Sequence, residues 1–427
     1  MHDHPLREAL LDELHAREAP RITTPATVIG LALKRPHQAA QRDREEDLAQ
    51  LSALAGGATF APGTKHAAFS RDGWDITWES HTEFTSYTAV ADAPGEAFAV
   101  SAQEAFPADW EGSDPALRMA AVRVEVLPMP PTEADLVQQT SAWLSPERTI
   151  INQVGGGSGL VLAGDFRVDA DGYMRFVLFV PDDVGPGRTG RAVQWVLDLE
   201  AYRAMAMIGF VRANEVGARL NAIDPRLAAL VDQLDNSDRP NEEVLHELLS
   251  VVGELEALAM AHDFRFGATA AYDAIVEDRI AALAEDRFDG RRTMGEFLSR
   301  RYSPAIRTVE STKARLDRTL QRSGRAADLL RTRVDVDRAA QNQTILSSMD
   351  NRAETQMRLQ RAVEGLSFLA ISYYTVSLLA YVLTPFAGQL GLSKGWLLAG
   401  LVPVVVVAVW IGMRALRKRI HRLTHRS

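Results

Sequence analysis

A chain of 427 residues is longer than one ordinary hydrophobic core supports and predicts two or three folding units. Its net charge of -9 and isoelectric point near 5.7 argue against a general nucleic-acid binder, whose footprint would be a basic surface. With no cysteine, disulfides, Cys-ligated zinc, iron–sulfur clusters and thiol nucleophiles are excluded, which fits a reducing compartment.

The opening MHDHPLREALLDELHAR mixes charged and apolar residues at helical spacing and predicts a helix over 5–17, not a secretory leader. Apolar and β-branched runs then predict strands near 26–34, 65–70, 74–80, 84–91, 119–127, 159–167 and 173–180. Turn residues join two pairs of them into hairpins, at Arg71-Asp72-Gly73 and at Asp169 to Gly172. Helices are expected over 41–54 and 133–143. The fold class is therefore α+β: a mixed α/β cytoplasmic domain with a mixed sheet over 1–187. A helical region follows over 188–303, with breaks expected at Asp224-Pro225 and at NSDRPN, 236–241.

Two stretches of this front half carry candidate chemistry. In WESHTEF, Glu79, His81 and Glu83 alternate, which on a strand puts two carboxylates and an imidazole on one face. That set would suit a divalent cation; the alternative is a solvated face whose other side buries Trp78. In GPGRTGRA, Gly185, Gly187, Arg188, Gly190 and Arg191 have the glycine spacing of a phosphate loop at a helix start. Arg191 and Ala192 replace the lysine and hydroxyl that nucleotide hydrolysis needs, leaving anion contact as the expectation. No catalytic motif is complete, and no GxSxG elbow is present.

After Pro304 no proline occurs until Pro385, and helical spacing persists throughout, predicting a stalk over 304–364. Continued to Leu383 it would reach about 120 Å and would need neighbours, as a coiled stalk or a bundle. A 3-4 seam of Ile306, Val309, Lys313, Leu316, Leu320, Ser323, Ala327, Leu330 and Val334 continues as Asp337, Gln341, Thr344, Ser348, Asn351 and Thr355. Around a symmetry axis the polar part would present rings of amide and hydroxyl oxygens, a pore lining. A change of face, or a solvated segment, is the alternative reading of the same pattern.

The runs 365–384 and 395–413 have the length of membrane spans, joined by the short loop PFAGQLGLSKG. Ser372, Thr375 and Ser377 would either extend the pore lining, Ser372 foremost, or pack helix on helix in lipid. Arg352, Arg358 and Arg361 before the first span, and the basic tail 414–427 after the second, predict that both termini are cytoplasmic.

HPLREALLDELHAR at 4–17, WESHTEFTSYT at 78–88, GRAVQWVLDLEAYR at 190–203 and the run 329–374 resemble a bacterial family of uncharacterised membrane-anchored proteins with a domain of unknown function. That resemblance implies a membrane anchor and no activity. The layout is also similar to the CorA-type divalent-cation channels, in which one long helix runs into the first of two spans. Their Gly-Met-Asn signature closes that span, where this chain has Leu383-Thr384-Pro385-Phe386.

The expectation is thus a homo-oligomeric protein of the bacterial inner membrane, multi-pass, with the bilayer as partner and no nucleic acid. It would move an ion or small polar solute. The alternative is a non-transporting scaffold or sensor with a cytoplasmic binding domain.

Overall fold

The β-branched and aromatic runs of the front half pair into one nine-stranded sheet. The computed structural model describes residues 7, 19–36, 42–93, 95–112, 116–236, 239–387 and 394–424. Its strands are β1 (Ala26–Lys34), β2 (His66–Arg71), β3 (Trp74–Ser80), β4 (Thr85–Asp92), β5 (Leu117–Pro128), β6 (Ile150–Val154), β7 (Leu160–Val168), β8 (Met174–Val180) and β9 (Asp286–Arg287). They lie in the order β2-β3-β4-β1-β5-β8-β7-β6-β9. All neighbours are antiparallel except β5 and β8, so two antiparallel halves meet at one parallel pair. This is the mixed sheet that the sequence predicts.

The two predicted hairpins form for local reasons. Arg71 pairs directly with Trp74, leaving Asp72 and Gly73 as a two-residue turn, both at positive φ (51° and 87°), as a primed turn requires. Between β7 and β8 the Asp169 carboxylate accepts from the amides of Asp171 and Tyr173 at 3.0 and 2.9 Å, which fixes the chain reversal. Strands β6 and β9 are not legible in the sequence. One is five residues long, and the other is two residues held by pairing with Asn152 and Gln153.

Nine helices occupy the described residues: α1 (Arg44–Leu54), α2 (Ala102–Ala105), α3 (Ala108–Gly112), α4 (Glu133–Trp143), α5 (Pro186–Asn236), α6 (Asn241–Leu283), α7 (Met294–Arg301), α8 (Ser303–Ala387) and α9 (Lys394–Thr424). Side-chain caps start several of them: the Asp43 carboxylate accepts from Glu45 N, and Thr132 Oγ1 from Asp135 N. The helix expected over 5–17 lies, apart from Arg7, outside the described residues.

Residues 1–328 and 329–427 form two units. In the first, helices cover both faces of the sheet. Val28 and Ala32 of β1 join a core with Val193 and Val196 of α5 and Val276 of α6. Ile29 and Leu31, one residue out of phase, join Leu51 and Leu54 of α1 and Trp110 of α3 on the opposite face. Because both faces are covered, β1 is buried along nearly its whole length, each large apolar side chain contributing about 1.5–3 kcal/mol.

Helices α5 and α6 pack against each other as a long hairpin. The break expected at Asp224-Pro225 does not occur: Pro225 lies inside α5. Proline there forfeits a backbone hydrogen bond, but Leu220, Ile223, Leu227 and Leu230 are buried on either side of it. The Asp224 carboxylate also accepts from Arg315 of α8 at 2.6 Å. Tertiary packing overrides the local preference.

In the second unit, two helices are long and apolar enough to cross a membrane, and only 6 % of the most apolar window of each is buried. The core helix of a soluble protein would be mostly buried. Length, composition and exposure together point to membrane association.

Candidate functional site

The WESHTEF stretch bends where a single strand face was expected. β3 ends at Ser80, and Glu79, His81 and Glu83 part company in the turn to β4. Glu79 stays at the strand end, 3.8 Å from the His81 ring. The His81 ring stacks on Phe84 at 4.2 Å between centroids, with Nε2 2.8 Å from Ser86 Oγ and Nδ1 3.2 Å from the Tyr202 hydroxyl. Glu83 turns inward and is buried. Arg265 of α6 grips both its carboxylate oxygens, one at 3.0 Å, and Tyr272 donates its hydroxyl at 3.0 Å.

Burial and the nearby Glu83 carboxylate push the Tyr272 hydroxyl well above the ordinary range for tyrosine, so it stays protonated and keeps donating. Arg42 closes the turn from outside, donating to the His81 carbonyl, to Ser80 Oγ at 3.2 Å and to Asp47 at 2.8 Å. The arrangement locks the β3–β4 turn onto α5 and α6. Among the described residues no three His, Asp or Glu side chains converge as a metal-holding set. Beside His81 and Tyr202 lies a cavity of about 20 Å³, room for about one water.

The glycine-rich stretch is placed differently from a phosphate loop. α5 already begins at Pro186, so Gly187, Arg188, Gly190 and Arg191 are helical and only Gly185 precedes the helix. The amides of Arg188 and Thr189 donate to the Gly185 carbonyl at 3.0 and 3.3 Å, so they do not point at a ligand. Gly190 has a packing reason: a Cβ there would stand 1.6 Å from the Pro20 carbonyl oxygen. The glycine lets the chain at Pro20 cross the helix, and the Ile22 amide bonds to Pro186 O at 3.1 Å beside it.

The upper seam of α8 is not awaiting a partner. Ile306, Val309, Leu316, Ser323 and Ala327 are buried, and Arg315 and Thr319 both reach Asp224 of α5. In the second unit the helix changes character, and every side chain from 335 to 363 is exposed. At about 100° per residue several of these side chains group by face. Gln341, Thr344, Ser348, Asn351 and Thr355 form a polar stripe with Asp337, and Arg352 lies at its edge. Ile345, Met349 and Val363 lie in a second sector, and Asp350, Glu354, Arg358 and Arg361 in a third.

Within the stripe the hydroxyls donate to their own helix: Thr344 to Ala340 O at 3.0 Å, Ser348 to Ile345 O at 2.8 Å and Thr355 to Asn351 O at 2.8 Å. Their remaining outward capacity is as acceptors. Ser372, expected to extend the pore lining, is buried, and its Oγ has no partner among the described residues.

Arg265, Tyr272, Tyr202 and Arg42 were not legible as partners of the WESHTEF turn. They lie up to 189 residues away in sequence and carry no motif of their own.

A helix-covered mixed sheet, a long helix and two exposed apolar helices define a protein with a folded domain and a candidate membrane anchor. The chain belongs to the family described as Protein of unknown function (DUF3422), whose match covers residues 2–420. Comparison with curated proteins gives no match.

Proposed function

We propose that the protein is a symmetric homo-oligomer of the inner membrane, of CorA-like layout, in which the stripe from Asp337 to Thr355 of α8 lines a path for a cation or small polar solute. Two spans per chain cannot enclose a path, so copies must surround it. The observation that carries the reading is the stripe itself, in which Thr344, Ser348 and Thr355 have already spent their hydroxyl protons on the helix backbone. Such acceptors can replace part of a cation's hydration shell. An exposed helix bearing Ile345, Leu346, Met349 and Met357 on its surface also needs neighbours to be stable in water.

In this reading the basic residues flanking the two spans keep both termini in the cytoplasm. Native mass spectrometry of the full-length protein in mild detergent tests the assembly. A single closed ring of more than two copies is expected; a monomer or dimer has too few copies to surround a path and overturns the reading.

A second reading, a non-transporting membrane-anchored scaffold or sensor, is favoured by Ser372. Its burial within its own chain is what a helix that packs, instead of lining a path, would show. Rings that carry no flux in liposomes would select it.

A further inference from the structure

A second cavity of the first unit stands apart from the stripe and from the His81 turn. It is a cavity of about 550 Å³ between the end of β1, the start of β5 and the facing helices α5 and α6. Lys34, Arg35, Arg212, Arg265 and His262 line it, and among the described residues no acidic side chain does. Four cationic side chains therefore share one lining, although three of them also pair with carboxylates. The carboxylates that pair with the arginines stand outside this lining: Glu83 for Arg265, Asp47 and Glu46 for Arg35, Glu215 for Arg212. The Arg35 and Arg265 pairs are buried and fix those guanidinium groups, whereas the Arg212–Glu215 pair is half exposed.

The remainder of the lining is apolar. Met119 and Ile208 form part of the wall, and Met260 and Phe264 are exposed beside it, 80 % and 49 %. A purely inorganic anion would use the charges and leave this apolar surface bare. An exposed Phe and Met next to converging cations suit a ligand with an anionic head and an apolar or planar body. The cavity has the volume of a small-molecule site.

We propose that this cavity binds a small organic phosphate, a mononucleotide-sized polyanion whose phosphates meet Lys34, Arg212 and Arg265 while its body lies against Met260 and Phe264. The local field fits: burial lowers the Lys34 ammonium below its ordinary range and Arg265 and Arg42 lower it further, against the opposing pull of Glu83. A bound anion would offset that repulsion. The site stands whether or not the protein conducts.

The test is isothermal titration calorimetry on the full-length protein in detergent, with ATP, ADP, AMP, inorganic phosphate and citrate as separate probes. Nucleotides should bind more tightly than inorganic phosphate. Arg212→Gln, at a half-exposed position, should weaken nucleotide binding by about tenfold or more, as expected for one charge-assisted contact. Phe264→Ser should weaken nucleotides and leave phosphate unchanged. Arg219→Gln, outside the cavity, is the control and should change nothing.

Absence of binding by all five probes at millimolar concentration overturns the proposal. So does binding that Arg212→Gln leaves unaltered. Citrate binding as tightly as ATP, or phosphate binding as tightly as ATP, also overturns it, because the site would then read charge alone.

Discussion

The Tyr272 hydroxyl donates to Glu83 at 3.0 Å although 189 residues separate the two in sequence. The same carboxylate is held by Arg265. The turn after β3 is thereby fastened to α6, and α6 in turn packs along α5 over the sheet. Glu83 is buried and fully engaged, which gives it a structural role the alternating WESHTEF pattern does not disclose.

Removing that carboxylate should be costly. Glu83→Ala leaves Arg265 and Tyr272 facing each other without an acceptor, and breaking one side of a buried pair typically costs about 3–5 kcal/mol. Thermal or urea unfolding of the full-length protein should show a loss of this order. The double variant Glu83→Leu with Arg265→Met should recover most of it, since the penalty lies in the stranded charge. Equal losses in the single and double variants would contradict this account.

Gly190 and Gly187 should behave oppositely, although a phosphate loop would need both. Gly190→Ala drives a methyl group into the Pro20 carbonyl oxygen, and such overpacking typically costs about 1–3 kcal/mol. Gly187 has nothing within 4 Å of an added Cβ and sits in a helix. Gly187→Ala should leave stability unchanged or raise it by up to about 1 kcal/mol. Unfolding midpoints of the two variants decide it.

What the sequence discloses follows the range of the interactions involved. The strands β1, β3 and β4 and the helix α4 are set by local composition, and their predicted bounds fall within a residue of those observed. The Asp72-Gly73 and Asp169 turns are equally local. By contrast Pro225, β9, the Glu83 clasp and the basic cavity depend on partners distant in the chain. Lys34, Arg212 and Arg265 belong to no sequence motif, and only the sheet end and two helices bring them to one cavity. Gly190 shows the reverse case: its spacing resembled a functional motif, and its reason is the close passage of Pro20. The polar stripe on α8 was legible because helical spacing alone places it.

His262 lies in that cavity and supplies a pH test. Burial lowers its pKa below the ordinary histidine value, and Arg212 lowers it further, while Glu215 raises it. The neutral imidazole is therefore favoured in the folded state. Because the folded value lies below the unfolded one, its contribution to stability is fully present above the unfolded value, near 6.5, and is lost as pH falls towards the folded value. Ring-proton NMR should place its midpoint below 6.5, with Arg212→Gln moving it up and Glu215→Gln moving it down. A midpoint at or above the ordinary value would contradict the assignment.

The stripe on α8 is tested most directly by flux, and the absence of native cysteine makes single-cysteine labelling clean. Thr344→Cys, Ser348→Cys, Asn351→Cys and Thr355→Cys would each be reconstituted into liposomes, as would Glu354→Cys and Arg358→Cys from the charged sector. Cation flux would be measured before and after reaction with a positively charged thiol reagent. The account predicts wild-type flux above that of protein-free liposomes, cut several-fold by labelling the four stripe positions and little changed by labelling the two others. Flux no greater than in protein-free liposomes, or inhibition with no preference for the stripe, would contradict it.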